Sequence, residues 1–247
     1  MAQFFINKEN INDDSISITA QSDIRHITNV LRFKKGDNIV LVSSESITYL
    51  VEISSINSDV IYTKVIEQFK SDRKLNINIT LAQSILKSAK QDVVIQKATE
   101  LGINTIIPFF SKNSVVRIDN EKDQIHKIQR WQKIAYESSK QCQRVNIPDI
   151  SHISNLNEVI QLDNFDVKLV CSERDTQYSL KKFLQSKNET KIKNILIIIG
   201  PEGGWDDKEI ELFKNKDIPI ITLGNLILRA ETAAITALSD IIYEYEL

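Results

Sequence analysis

Over residues 1–70 short apolar segments recur between turn clusters, and beyond residue 75 the rhythm changes. Residues 4–6, 16–19, 38–42, 47–56 and 60–68 are rich in Ile, Val, Phe and Tyr, and several alternate apolar with polar, the period of a half-buried strand. Asn12-Asp13-Asp14, Lys35-Gly36-Asp37 and Asn57-Ser58-Asp59 supply the turns between them. One helix is predicted among the strands, with Ser22 as its N-cap and Ile24, Ile27 and Leu31 at helical spacing. Short strands with a single helix predict a small β-barrel.

The charged break Ser71-Asp72-Arg73-Lys74 marks a boundary, giving two domains, 1–70 and 73–247. Beyond it strands alternate with helices. Strands are predicted at 76–82, 105–110, 167–171, 195–199 and 218–223. A helix over 84–101 would turn Leu86, Ala89, Val93, Ala98 and Leu101 inward and stop at Gly102. A second, over 123–142, carries Ile125, Ile128, Trp131, Ala135 and Cys142 on one stripe. Shorter helices follow at 180–183 and after Asp206, where Asp206 and Glu209 spell a capping box. The last helix begins at Ala230 and offers Ala234, Ala237, Leu238, Ile241 and Tyr245 along one side. Such alternation predicts an α/β domain around a mostly parallel sheet.

Two of these strands stand out. Residues 195–199 and 218–223 are continuous and β-branched, which suits strands covered on both faces. The chain has six glycines, and four of them (Gly200, Gly203, Gly204 and Gly224) follow these two runs, so backbone is concentrated at the strand ends where open α/β sheets bind ligands. One pocket built from two loops is expected. Neither a G-x-G-x-x-G nor a G-x-x-x-x-G-K-[ST] phosphate cradle is present, and Glu202 stands where a phosphate site would want a base. A neutral or cationic ligand fits better; S-adenosyl-L-methionine, with its sulfonium charge, is one that qualifies.

Composition narrows the class. A charged fraction of 26% and a hydrophobic fraction of 42% are those of a globular protein, and no apolar run approaches a membrane span. The start, M-A-Q-F-F-I-N-K, lacks the features of a signal peptide, so a cytoplasmic location is the default. Two cysteines without ligand spacing indicate neither a disulfide scaffold nor a metal site. A net charge of −2 excludes a generally basic nucleic-acid coat and requires any nucleic-acid contact to use a local patch. Arg25, His26, Arg32, Lys34 and Lys35 form one candidate, as phosphate contacts or as a solvated helix end.

I-G-P-E-G-G at 199–204 and L-G-N-L-I-L-R-A-E-T-A at 223–233 resemble the two C-terminal loops of SPOUT RNA methyltransferases, and more narrowly those of the RsmE family. H-I-T-N-V-L-R-F-K-K-G-D at 26–37, I-Q-K-A-T-E-L-G at 95–102, R-W-Q-K-I at 130–134 and Q-C-Q-R-V-N-I-P at 141–148 fit the same family in order and spacing. The resemblance implies a PUA-like N-terminal barrel that binds RNA and a second domain whose segment 195–247 is threaded into a deep trefoil knot. It implies methylation of uridine N3 in 16S ribosomal RNA of the small ribosomal subunit, with S-adenosyl-L-methionine as cofactor, by a homodimer that needs no metal.

Residue by residue, it places Ile199, Gly200, Pro201, Glu202, Gly203, Gly204, Leu223, Gly224, Leu226 and Leu228 around the cofactor. Arg229 would stabilise negative charge on the base and Glu231 would accept its proton. Arg25, Arg32, Lys34, Lys35, Gln141 and Arg144 would contact RNA; family members often carry a basic residue where this chain has Gln3. Lys87, Lys90, Lys112 and Arg117 are further cations near these blocks that could contact RNA, though Lys87 and Lys90, three apart on one helix, fit a solvated face equally well. The alternatives are a SPOUT ribose 2′-O-methyltransferase, whose usual N-V-S-x-A-like last loop is here L-R-A-E-T-A, and an assembly factor that binds RNA without catalysis.

Overall fold

The computed structural model describes residues 1–71, 73–187 and 191–246; Asp72 of the charged break and Leu247, the end of the second expected domain, lie outside the described residues. The chain forms two compact units, one of residues 1–74 with 139–146, the other of 75–138 with 147–247.

In the first unit, β1 (Gln3–Ile6), β2 (Ile11–Asn12), β3 (Ser15–Ile18), β4 (Asn38–Ser43), β5 (Ile47–Ile56) and β6 (Ile61–Lys70) make one sheet in the order β1-β4-β5-β6-β3-β2. Among the described residues only the β1–β4 pairing is parallel. Inward residues of five strands, among them Phe4, Ile16, Leu41, Val51 and Ile61, share one core with Ile24 and Ile27, so the sheet curls around it as a small barrel must. Helix α1 (Gln21–Arg25) runs on into a π-helical turn, His26–Val30. Its N-cap is Ala20 and Ser22 lies inside the first turn, which corrects the cap expected from the sequence.

The residues 139–146 are built into this unit. Gln3 Nε2 donates to the Arg144 carbonyl at 2.5 Å, and Lys140 Nζ lies 3.1 Å from Asp23 Oδ1 and 5.0 Å above the Phe4 ring.

The second unit carries β7 (Asn78–Ser84), α2 (Ser88–Glu100), β8 (Thr105–Phe110) and α3 (Glu121–Gln141), whose last three residues belong to the first unit. Then come β9 (Asp149–Ile150), β10 (Ser154–Asn155), α4 (Leu156–Gln161), β11 (Val167–Cys171), β12 (Tyr178–Ser179) and α5 (Leu180–Gln185). It closes with β13 (Asn194–Ile199), α6 (Asp207–Asn215), β14 (Ile220–Thr222) and α7 (Ala230–Glu246). Every pairing in the sheet is parallel, in the order β10-β8-β7-β13-β11-β14-β12, with β9 beside β8.

Ile195, Ile197 and Ile199 pack with α2, α3, α5 and α7, while Leu196 and Ile198 pack with Trp205, α4 and α6. Helices on both faces explain why β13 is an unbroken apolar run.

Two helical faces differ from the sequence reading. Ile85 N–H still donates to the Phe109 carbonyl and Leu86 N–H to Gln91 Oε1, so the chain stays extended past residue 84 and α2 starts four residues later than expected. Counting from Leu86 therefore misphases the helix: Gln91, Val94, Ile95, Ala98 and Thr99 face inward, whereas Ala89 and Val93 are exposed. On α7, Ala234, Ala237, Leu238 and Ile241 are buried in the chain's own core, so that stripe is not a free surface for a second copy.

Candidate active site

A cavity of about 450 Å³ opens at the C-terminal ends of β11, β13 and β14. Two loops wall it. The first leaves β13 at Ile199 and ends where Asp206 and Glu209 cap α6 with the reciprocal box expected from the sequence. Glu209 also accepts from Ser111 Oγ at 2.8 Å and from the Lys112 N–H at 2.9 Å, and Asn113 Nδ2 donates to the Gly204 carbonyl at 3.1 Å. Trp205 is buried, donating from Nε1 to the Cys171 carbonyl at 2.8 Å and packing edge-on against Phe213. It is a core residue. The second loop, 223–229, runs from β14 into α7 with residues 224–227 and 229 exposed and Leu223 and Leu228 half-buried.

The glycines of the first loop differ in what they do. A Cβ at Gly200 would lie 2.8 Å from the Trp205 ring, so only glycine lets the loop close over the indole. A Cβ at Gly203 would instead meet the Asn113 carbonyl oxygen at 3.1 Å; Gly203 does not line the cavity, contrary to its expected place beside a ligand.

Of the residues expected around the cofactor, Ile199, Gly200, Pro201, Glu202 and Gly204 line the cavity from the first loop. Leu223, Gly224, Leu226 and Leu228 line it from the second, together with Arg229. Glu231 does not line the wall directly. It stands one step behind, at Lys90.

Lys90 is the residue the sequence reading undervalued as a solvated or RNA-facing cation. From α2 it lines the cavity, with Nζ 2.6 Å from Glu202 Oε1 and 3.9 Å from Glu231 Oε2. The charge expected to repel phosphate, Glu202, is thus paired. Glu231 Oε2 is enclosed and has no hydrogen-bond partner among the described residues, while the side chain as a whole stays 15% exposed. Glu173 and Cys171 also reach the wall. Burial pushes the Cys171 thiol up to about 12, so it is a neutral wall atom at physiological pH. No local pattern announces Lys90; only its place three residues after Lys87 at a helix start hints at it.

In the first unit, Arg25, Arg32, Lys34 and Lys35 are exposed, and so is Gln141. Arg32 adopts φ 58°, uncommon for a residue with a side chain, as the chain turns out of the π-helical segment. Arg144 is different. It is 7% exposed, burial pulls its guanidinium down to about 10, and Nη2 donates to Asn146 Oδ1 at 3.2 Å. The expected phosphate contact there is corrected to an interior position. Gln3 is likewise 6% exposed and spends its amide on the Arg144 carbonyl, so its side chain faces the interior. In the second unit Lys87, Lys112 and Arg117 are exposed, and Lys112 pairs with Asp206 at 2.8 Å.

Comparison with known proteins agrees with this architecture. A family model described as an RNA methyltransferase domain matches residues 73–242, and one described as an RNA methyltransferase PUA domain matches residues 18–66. The chain is 34% identical to the ribosomal RNA small subunit methyltransferase E of Bacillus subtilis, over 100% of this chain and 98% of that one. It is 35% identical to the protein of the same name from Mesomycoplasma hyopneumoniae, over 98% and 99%. A crystal structure of ribosomal RNA small subunit methyltransferase E from Neisseria gonorrhoeae bound to S-adenosyl methionine superposes with a TM-score of 0.86 at 25% identity, covering 99% of this chain and 98% of that one. A curled N-terminal sheet, a parallel sheet with helices on both faces and full-length identity above 30% converge: this chain belongs to the ribosomal RNA small subunit methyltransferase E family of SPOUT-type RNA methyltransferases.

Proposed function

We propose that this protein transfers a methyl group from S-adenosyl-L-methionine to N3 of a uridine in the 16S ribosomal RNA of the small ribosomal subunit, acting as a cytoplasmic homodimer. One observation carries the reading: the two backbone-rich loops at the ends of β13 and β14 wall a single cavity large enough for a nucleoside-sized ligand. The relatives' names give the substrate class, and the bound molecule of the gonococcal structure gives the cofactor.

The donor set fits that cofactor. Apolar walls from Ile199, Leu223 and Leu228 suit an adenine, and Gly224, at φ 138° with open space beside its Cα, leaves room for close backbone approach. Glu173 offers a carboxylate to a cationic ligand, while that of Glu202 is held by Lys90. When bound, the cofactor supplies an electrophilic methyl group on a sulfonium.

The protein has to deal with the proton on uracil N3 and with the charge its removal leaves on the ring oxygens. Arg229, exposed on the cavity wall, supplies a cation for that charge. Glu231 is assigned as the carboxylate that accepts the N3 proton: it stands behind Lys90, its side chain 15% exposed and Oε2 turned in toward the ammonium.

Arg25, Arg32, Lys34, Lys35 and Gln141, exposed on the first unit, are assigned to RNA phosphates, making residues 1–70 the RNA-binding domain. We assign 195–247 as the threaded segment of a trefoil knot: β14 lies beyond β11 from β13, yet α7 returns to pack on β13 and α2. Leu226 and Ile227, 82% and 83% exposed, are assigned to the contact between two copies, where a partner would cover them.

Calorimetry with S-adenosyl-L-methionine, followed by mapping of the methylated nucleotide in small-subunit RNA from a strain lacking the protein and from the rescued strain, tests the reading. A missing N3-methyluridine that returns on rescue is the expected result. A ribose 2′-O-methyl group in its place would overturn it.

A further inference from the structure

We propose that Lys90 is a positioning residue for proton removal, steadying the Glu231 carboxylate from behind so that its outer oxygen meets the substrate; this rests on the reading of Glu231 as proton acceptor. Three observations carry it. Lys90 Nζ is 2.6 Å from Glu202, a charge-assisted hydrogen bond that fixes the ammonium. The same Nζ is 3.9 Å from Glu231 Oε2, close enough for charge attraction and too long for a hydrogen bond. Glu231 Oε2 has less than a water's access and accepts no hydrogen bond among the described residues.

An enclosed carboxylate oxygen without a donor is costly unless a cation stands by it. Lys90 meets that requirement from a rigid place. It is the third residue of α2, whose inward side chains Val94, Ile95 and Ala98 share a core with Ala234 and Ala237 of α7, and the two helices pack together. Packing between α2 and α7 therefore sets the spacing between the ammonium and the carboxylate.

Glu202 has a part in the same arrangement. By taking the hydrogen bond, it holds the ammonium 3.9 Å from Glu231 Oε2, so Lys90 acts on that carboxylate by charge and its outer oxygen is left to receive the proton. Among the described residues the charged group at Glu231 is Lys90 from α2, itself bonded to Glu202 of the first loop, while Arg229, two residues before Glu231, lies on the cavity wall. In the step itself the proton passes from N3 to the Glu231 carboxylate and the N3 electron pair forms the bond to the methyl carbon. The electrons of the broken carbon–sulfur bond stay on sulfur. Lys90 neither gives nor takes a proton.

The test compares Lys90→Met, Lys90→Arg, Glu231→Gln and the double variant Lys90→Met/Glu231→Gln in the full-length protein. The measurements are kcat and KM with small-subunit RNA, and the calorimetric Kd for S-adenosyl-L-methionine. Lys90→Met should lower kcat about tenfold while KM and the cofactor Kd change by less than about threefold. Lys90→Arg should recover most of the loss, and the double variant should be no slower than Glu231→Gln alone. If the Lys90→Met loss appears in Kd or KM, or multiplies with that of Glu231→Gln, Lys90 does not act through Glu231 and the proposal fails. Wild-type kcat in Glu231→Gln would instead remove the proton-acceptor reading, and with it this one.

Discussion

Lys140 Nζ lies 3.1 Å from Asp23 Oδ1, with side chains 7% and 1% exposed, so the segment 139–146 is tied into the first unit by a buried ion pair. A buried pair adds little net stability, but removing one member leaves the other's buried charge less well compensated. Asp23→Ala should therefore lower unfolding free energy by about 3 kcal/mol, and Asp23→Leu with Lys140→Met should cost clearly less. Urea titration of the first unit's unfolding reads both. Equal losses for the single and double variants would show that the charges are not coupled.

Gly200 and Gly203 should separate in their sensitivity. At Gly200 an added Cβ would press on the Trp205 ring at 2.8 Å, whereas at Gly203 it would meet Asn113 at 3.1 Å outside the cavity wall. Gly200→Ala should weaken binding of S-adenosyl-L-methionine at least about tenfold by displacing the loop, and Gly203→Ala should weaken it far less. Calorimetry on folded variants, checked by circular dichroism, compares them.

The exposed cations of the first unit should control RNA affinity alone. Replacing Arg32, Lys34 and Lys35 with Glu should weaken RNA binding and flatten its salt dependence, by a log–log slope of roughly 0.7–0.9 for each phosphate no longer neutralised. Cofactor affinity should not move, since none of the three lines the cavity. An unchanged RNA slope would make the patch a solvated helix end.

Light scattering at micromolar concentration should give the mass of two chains, and Leu226→Glu with Ile227→Glu should halve it. A wild-type monomer would remove the assigned contact.

Asp206 gives the pH dependence of one loop anchor. The Lys112 ammonium, bonded at 2.8 Å, and then the Lys208 N–H hold its carboxyl below the ordinary 3.8. A depressed carboxyl contributes stability above its unfolded value and loses it as pH falls through the folded one. The stability gap between wild type and Asp206→Ala should thus be full at neutral pH and shrink below pH 3.8. A gap that persists in acid would assign the effect to packing.

Local chemistry was legible in the chain itself. The strands at 47–56, 105–110 and 167–171, the Asp206–Glu209 box and the two glycine loops follow from side-chain period, capping and backbone freedom, which neighbouring residues decide. The phase of α2 was not, because Ile85 and Leu86 stay extended through bonds to Phe109 and Gln91 that local spacing does not encode. Nor was the interior place of Gln3 and Arg144, which meet across 141 positions of sequence. Basic residues at the surface and in the interior look alike in a sequence; burial separates them. The same holds for Lys90, Glu202 and Glu231. Each is an ordinary helix-end or loop charge by sequence, and only the packing of α2 against α7, with the β13 loop laid beside them, sets one ammonium between two carboxylates.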